Sequence, residues 1–203
     1  MTDPNEDLLE IKSMMAKSTR FLSLSGSSGV LLGIYATGAS MLAYQWLYPE
    51  GVLDELSNWL NPDEIVTRLI ILASVLVFLS LSTSFLLSRK RAKKNSEKLW
   101  TPAGKRFLSA LFLPLLVGGG TILAQLYTEN YTLIAGTSLI FYGLALLNAA
   151  SFTVRSVRHL GMVQVILGLI AHFYPEFSLL FWWVGFGLAH IVYGTIMYLK
   201  YEK

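Results

Sequence analysis

The chain has no cysteine among its 203 residues. That excludes disulfides, thiolate nucleophiles and cysteine-ligated metal or iron–sulfur sites. Charge is scarce as well: Asp, Glu, Lys and Arg make up 14% of residues, against about 25% in soluble domains. The apolar–polar alternation of a membrane β-barrel is missing, because the apolar runs are continuous. What is present is an apolar chain, 54% hydrophobic, with a mean hydropathy of +0.53. A soluble fold this short has too little interior to hide so much apolar surface. The class left is an all-α, polytopic integral membrane protein.

A helix needs about 20 apolar residues to cross a hydrocarbon layer of about 30 Å. Six stretches qualify: 21–48, 65–87, 107–127, 131–152, 160–174 and 177–199. The fifth is short, and its start shifts toward Ser156 if Arg155 and Arg158 reach back to the interface. Within residues 1–20, Leu8, Ile11 and Met15 (with Met14 less regularly) share one helical face, so a short cytoplasmic amphipathic helix is expected there. This segment is polar and acidic, which is not the pattern of a cleavable signal peptide. Residues 49–64 are acidic, with Leu53, Leu56, Trp59 and Leu60 at helical spacing. They read as an external interfacial segment anchored by Trp59. Residues 200–203 form a short tail.

The few charges are sharply sorted. Lys12, Lys17 and Arg20 precede the first span, eight Lys or Arg lie from Arg89 to Arg106, Arg155 and Arg158 follow the fourth, and Lys200 and Lys203 follow the sixth. Of the 16 basic residues, only Arg68 is on the other side, beside Glu50, Asp54, Glu55, Asp63, Glu64, Glu129 and Glu176. Basic loops stay in the cytoplasm during insertion, so both termini are expected there. The densest run, SRKRAKKNSEK, carries Arg89, Lys90, Arg91, Lys93 and Lys94. It reads as a topology determinant that also faces anionic lipid headgroups. Nucleic-acid binding is not expected, since no aromatics are interleaved with the charges and no recognition domain is present.

Polar groups inside a membrane are expensive and are therefore default functional candidates. At 1.5 Å per residue, His190 lies about 18 Å along the sixth span from its external end and Asn148 about 22 Å down the fourth. At such comparable depth the two are expected to meet, with Tyr142, Gln164 and Tyr193 completing a buried polar layer. The bland reading of that layer is interhelical glue around a neutral histidine. A lone histidine without an acidic neighbour makes a poor proton relay. His172 is nearer the outer end, about 15 Å from the depth of His190, too far for the two to share a haem iron. Arg68 is expected to pair with Glu64, one turn earlier. No HExxH, GxSxG, Walker-type or paired-carboxylate arrangement occurs in the spans. No catalytic residue, metal site or cofactor is therefore expected, and the chain does not read as an enzyme. Pro114 removes a backbone donor, and Gly118, Gly119 and Gly120 weaken the helix after it, so a kink is expected in the third span.

Short patterns recur. GTSLIFYG places Gly136 and Gly143 seven apart in the fourth span, and GLAHIVYG does the same with Gly187 and Gly194 in the sixth. VLLGIY in the first span is echoed by VILGLI in the fifth. Small residues seven apart share a helix face and let backbones approach, so these glycines read as packing positions. Three helix pairs, 1–2, 3–4 and 5–6, are the expected arrangement.

The segments GVLLGIYATGA, YGLALLNAASFTVRSVRHLG and WWVGFGLAHIVYGTIMYLKYEK resemble a group of uncharacterised six-helix bacterial inner-membrane proteins. LGLIAHFYPEFSLLFWWVGFGLAHIVYG is similar to the helix pairs of HdeD-like membrane proteins, which also comprise three glycine-rich pairs. The resemblance implies a multi-pass location in a bacterial inner membrane and transfers no catalytic motif. The functional expectation is a non-catalytic structural or regulatory protein that binds membrane lipid, or a cytoplasmic partner through the N-terminal helix. The alternative is a small solute or proton-linked transporter or channel built on the polar layer.

Overall fold

The computed structural model describes residues 25–48, 62–94 and 100–201. The expected N-terminal helix (1–20) and most of the acidic segment (49–61) lie outside the described residues. Among the described residues there is no strand. Six helices are long and apolar enough to cross a membrane. The first five are α1 (Gly26–Leu47), α2 (Pro62–Lys94), α3 (Pro102–Tyr127), α4 (Ile134–Ala149) and α5 (Ser156–Phe173). The sixth span, Pro175–Lys200, is composite: α6 (Ser178–Trp182), a π-helical segment (Trp183–Ala189) and α7 (His190–Tyr201).

Local chemistry accounts for several boundaries. Pro62 opens α2, Asp63 and Glu64 occupy its first turn, and Arg91, Lys93 and Lys94 its last, each sign on the end that the helix dipole favours. Thr101 caps α3 by accepting from the Gly104 N–H at 3.0 Å, with Pro102 at the first helical position. The α3–α4 turn closes as a Schellman motif: Asn130 N–H donates to Gln125 O at 2.8 Å and Glu129 N–H to Leu126 O at 3.3 Å. Glu129 takes the left-handed conformation there, φ 57°, where glycine is usual.

The bundle is ordered by size of side chain rather than by polarity. Large apolar groups such as Phe78, Phe112 and Leu123 point outward, while the contacts between helices are made by Gly, Ala, Ser and Thr. Lipid tails are as apolar as leucine, so close packing of small residues drives helix association in membranes. The first span packs on the second and sixth, the sixth on the fourth and fifth, and the fourth on the third and fifth. The second span is held from one side only; none of its most apolar stretch is buried. A knot of larger side chains (Leu146, Val154, Val157, Leu160 and Met197) fills the basic end between α4, α5 and α7.

The expected neighbours 1–2, 3–4 and 5–6 do touch. The closest backbone approaches nonetheless join other partners, the fourth span with the fifth and the first with the sixth. A Cβ built on Gly143 would lie 2.7 Å from Gly161 O, and one on Gly161 2.9 Å from Gly143 O. Gly136 and Gly168 stand in the same reciprocal relation, at 3.0 and 2.7 Å. In the other pair, a Cβ on Gly33 would lie 2.6 Å from Gly187 O, and one on Gly194 2.6 Å from Gly26 O. The echoed sequences thus occupy equivalent places. Gly26 and Gly33 repeat the seven-residue spacing of Gly161 and Gly168, and each set faces one of the two GxxxxxxG helices.

Candidate functional site

The sixth span widens into seven π-helical residues, Trp183–Ala189, a geometry often found at functional sites. Within this wide turn the Gly185 carbonyl accepts two side-chain donors, Gln164 Nε2 at 2.8 Å and His190 Nδ1 at 3.0 Å. A carbonyl can only accept, so Nδ1 carries the hydrogen and Nε2 is left as an acceptor; the tautomer follows from the network. Tyr142 Oη, 2.9 Å away, donates to it. The 3.5 Å approach of Gln164 Nε2 to His190 Nδ1 is then a contact between two donors, not a bond. Tyr142, Phe186 and His190 stack on one another, with Trp182 against Phe186.

Gln164 is wholly buried, and its Oε1 has no hydrogen-bond partner. It fills the place where a side chain at Gly185 would begin: a Cβ there would lie 2.6 Å from it. Gly185 is a notch cut for the Gln164 amide. Three of the expected layer members, Tyr142, Gln164 and His190, therefore converge, one each from α4, α5 and the sixth span. Gln164 and His190 both donate to Gly185 O and Tyr142 donates to His190, so the arrangement ties three helices together.

Asn148 does not join them, which corrects the expectation from depth. Its Nδ2 donates to Ala110 O on α3 at 2.8 Å. Ala110 is four residues before Pro114, so its carbonyl is the one that the proline leaves without an intrahelical donor. Asn148 supplies the missing hydrogen bond. His190 meets Tyr142 instead, and Asn148 lies six residues further along α4, about 9 Å away by helical rise. Tyr193 is also elsewhere: its ring packs over Gly29 and on the apolar knot at the basic end. Pro114 sits inside a continuous α3. Of the following glycines only Gly118 makes a notch, for Phe141; a Cβ on Gly119 or Gly120 would meet nothing within 4 Å.

A second polar node lies toward the acidic end, and reading the sequence for a single layer missed it. Gln125 Nε2 donates to Thr137 Oγ1 at 2.8 Å, Thr137 Oγ1 lies 3.4 Å from His172 Nε2, and His172 Nδ1 lies 2.8 Å from Gly168 O. Gln125 Oε1 is buried without a partner. The signal was available: the short turn after α3 brings Gln125 and Thr137, twelve residues apart, to one level, and Gly136 makes room for the His172 ring.

The basic run is helical to Lys94. Arg89, Lys90, Lys93 and Lys94 are exposed and Arg91 is half-buried, whereas Ser88 and Ala92 are 8% and 3% exposed. At about 100° per residue the four exposed cations span about 140° of arc, facing away from the side defined by Ser88 and Ala92. Exposed Lys105, Arg106, Arg155 and Arg158 lie at this same end of the bundle. At the other end Arg68 pairs with Glu64 at 3.2 Å. Among the described residues no three His, Asp or Glu side chains gather as a metal would require. No family model, curated protein or solved structure matches the chain.

Proposed function

We propose that the chain is a non-catalytic, structural or regulatory protein of a bacterial inner membrane whose basic, cytoplasmic end binds anionic lipid headgroups. One observation supports this above the rest: α2 continues as a helix past its apolar stretch and fans four exposed cations outward from a buried inner face. The helix of 33 residues is about 50 Å long, against a hydrocarbon thickness of about 30 Å. Arg89 and Lys90 then fall at headgroup level, with Lys93 and Lys94 about one turn beyond. Each such charge is worth about 1 kcal/mol against an anionic leaflet. Residues 1–20 would offer a cytoplasmic partner a second contact on the same side.

Transport through the polar layer is the weaker reading. Tyr142 is bonded to His190, Gln164 and His190 are bonded to Gly185 O, and His190 is 3% exposed. A permeation path requires polar groups that a solute can reach.

The test is lipid retention by the purified full chain, compared between phosphatidylglycerol and phosphatidylcholine by native mass spectrometry. The parent should retain the anionic lipid preferentially. The variant R89Q/K90Q/K93Q/K94Q should lose most of that preference with its helix content intact. A parent indifferent to headgroup charge, or a variant as selective as the parent, overturns the proposal.

A further inference from the structure

Glu64, Arg68, Ile71, Leu72 and Val75 follow one another at helical spacing, so they share one face of α2. From Arg68 to Arg89 the continuous helix rises about 31 Å, close to the hydrocarbon thickness of about 30 Å. With Arg89 among the headgroups of one leaflet, Arg68 stands at the edge of the apolar layer in the other. Glu64, one turn further out, lies among that leaflet's headgroups. Inward of these charges an open groove of about 210 Å³ runs between the first two spans, lined by Arg68, Trp46, Ile71, Leu72 and Val75. Trp46 comes from the last turn of α1, at the interfacial level where tryptophan is enriched.

The polar groups at the mouth of the groove are only partly used. Arg68 Nη2 donates to Glu64 Oε1 at 3.2 Å, a single contact between side chains 37% and 49% exposed. A guanidinium carries further N–H donors, and a carboxylate accepts several hydrogen bonds. Among the described residues neither side chain has another partner, nor does the Trp46 indole N–H. An anionic headgroup would meet one cation flanked by the carboxylates Asp63 and Glu64. A zwitterionic headgroup meets the complement of each charge it brings.

We propose that this groove is a phospholipid site at the acidic end of the bundle, selective for phosphatidylethanolamine. The phosphate sits on the Arg68 guanidinium, the ammonium on the Glu64 carboxylate, and one acyl chain along Ile71, Leu72 and Val75 beside Trp46. The outward order of the protein charges, Arg68 then Glu64, is the order in which this headgroup carries phosphate and then ammonium. A primary ammonium has N–H donors for a carboxylate; the quaternary nitrogen of choline has none, and a glycerol headgroup has no cation. The selectivity is therefore the reverse of that at the basic end, where the exposed cations favour net negative charge.

The test is native mass spectrometry of the purified full chain with phosphatidylethanolamine and phosphatidylcholine of identical acyl chains. The parent should retain the ethanolamine lipid over the choline lipid by about threefold, the worth of one exposed ion pair. Glu64→Gln should bring that ratio to about one while both lipids are still retained, and Arg68→Gln should lower retention of both by about fivefold, the worth of one charge at the headgroups. R89Q/K90Q/K93Q/K94Q should keep the ethanolamine preference, which separates this site from the anionic-lipid contacts of the basic end. In detergent with equimolar lipid, phosphatidylethanolamine with brominated acyl chains should quench the parent's tryptophan emission more than that of Trp46→Phe. Helix content by circular dichroism should match the parent in every variant, since each changed side chain lies at the surface. A parent indifferent to the two headgroups, a preference that survives Glu64→Gln or is lost in the quadruple variant, retention unchanged by Arg68→Gln, or equal quenching with and without Trp46 overturns the proposal.

Discussion

The contact between Asn148 and Ala110 can be isolated by a double-mutant cycle, because Pro114 is the reason it exists. Asn148→Leu removes the side-chain donor to Ala110 O, the carbonyl whose i+4 backbone donor Pro114 lacks. Interhelical hydrogen bonds in membranes average about 0.6 kcal/mol and reach about 1.7, and an orphaned acceptor costs about 1–3. The 2.8 Å geometry and the missing backbone donor place the loss at about 1.5 kcal/mol. Asn148 is exposed, so leucine also gains apolar contact with lipid, an offset common to both arms of the cycle. In a Pro114→Ala background residue 114 regains its N–H and bonds to Ala110 O itself, and the same leucine substitution should cost about 0.5 kcal/mol or less. The expected coupling is about 1 kcal/mol, measured by reversible SDS-driven unfolding in mixed micelles followed by circular dichroism. Equal cost of Asn148→Leu in both backgrounds, within about 0.3 kcal/mol, would refute the account of Asn148 as the proline's substitute donor.

Gly143→Ala should destabilise by about 2 kcal/mol or more, because its Cβ would meet backbone at 2.7 and 2.8 Å with no rotamer to relieve it. Gly119→Ala, which meets nothing, should be neutral or add about 0.5–1 kcal/mol through helix propensity; thermal melts of the two variants make the comparison. Tyr142→Phe should cost about 1 kcal/mol by removing the donor to His190 Nε2 while the ring stacking survives, seen as a lowered melting midpoint with unchanged near-ultraviolet dichroism. Single cysteines in this cysteine-free chain report the orientation: Lys93→Cys should be protected from an impermeant thiol reagent in intact cells and Glu129→Cys labelled, and the opposite pattern would invert the topology.

Much of the architecture was legible because the bilayer reduces the problem to counting apolar runs and placing charges. The boundaries were less legible: α2 runs on to Lys94 and α3 starts at Pro102, both beyond their apolar runs, and α5 starts at Ser156, with Arg155 and Arg158 exposed at its head. The pairing of helices was not legible in full. The sequence shows which glycines recur, yet the register that sets Gly143 on Gly161 and Gly33 on Gly187 depends on which helices become neighbours. The candidate site was legible in its members but not in its grouping. Gln164 and His190 share the Gly185 carbonyl inside a π-helical turn, and no residue count forecasts that turn. Asn148 was assigned by depth alone, although Pro114 carried the better clue: a carbonyl freed in lipid needs a donor from somewhere.

The junction of the first span with the sixth also bears on how the protein is made. Gly26, Gly29 and Gly33 leave the ribosome roughly 150 residues ahead of Gly187 and Gly194. At about 5–20 residues per second that is an interval on the order of 10–30 s. Throughout it the small-residue face of α1 can rest only on lipid or on α2, while the fourth and fifth spans, adjacent in the chain, zip as soon as both are inserted. Closure of the first span on the sixth therefore follows insertion of the five spans before it, and a chain stalled short of the sixth span leaves the glycine face of α1 without the Gly187 and Gly194 backbone it packs on.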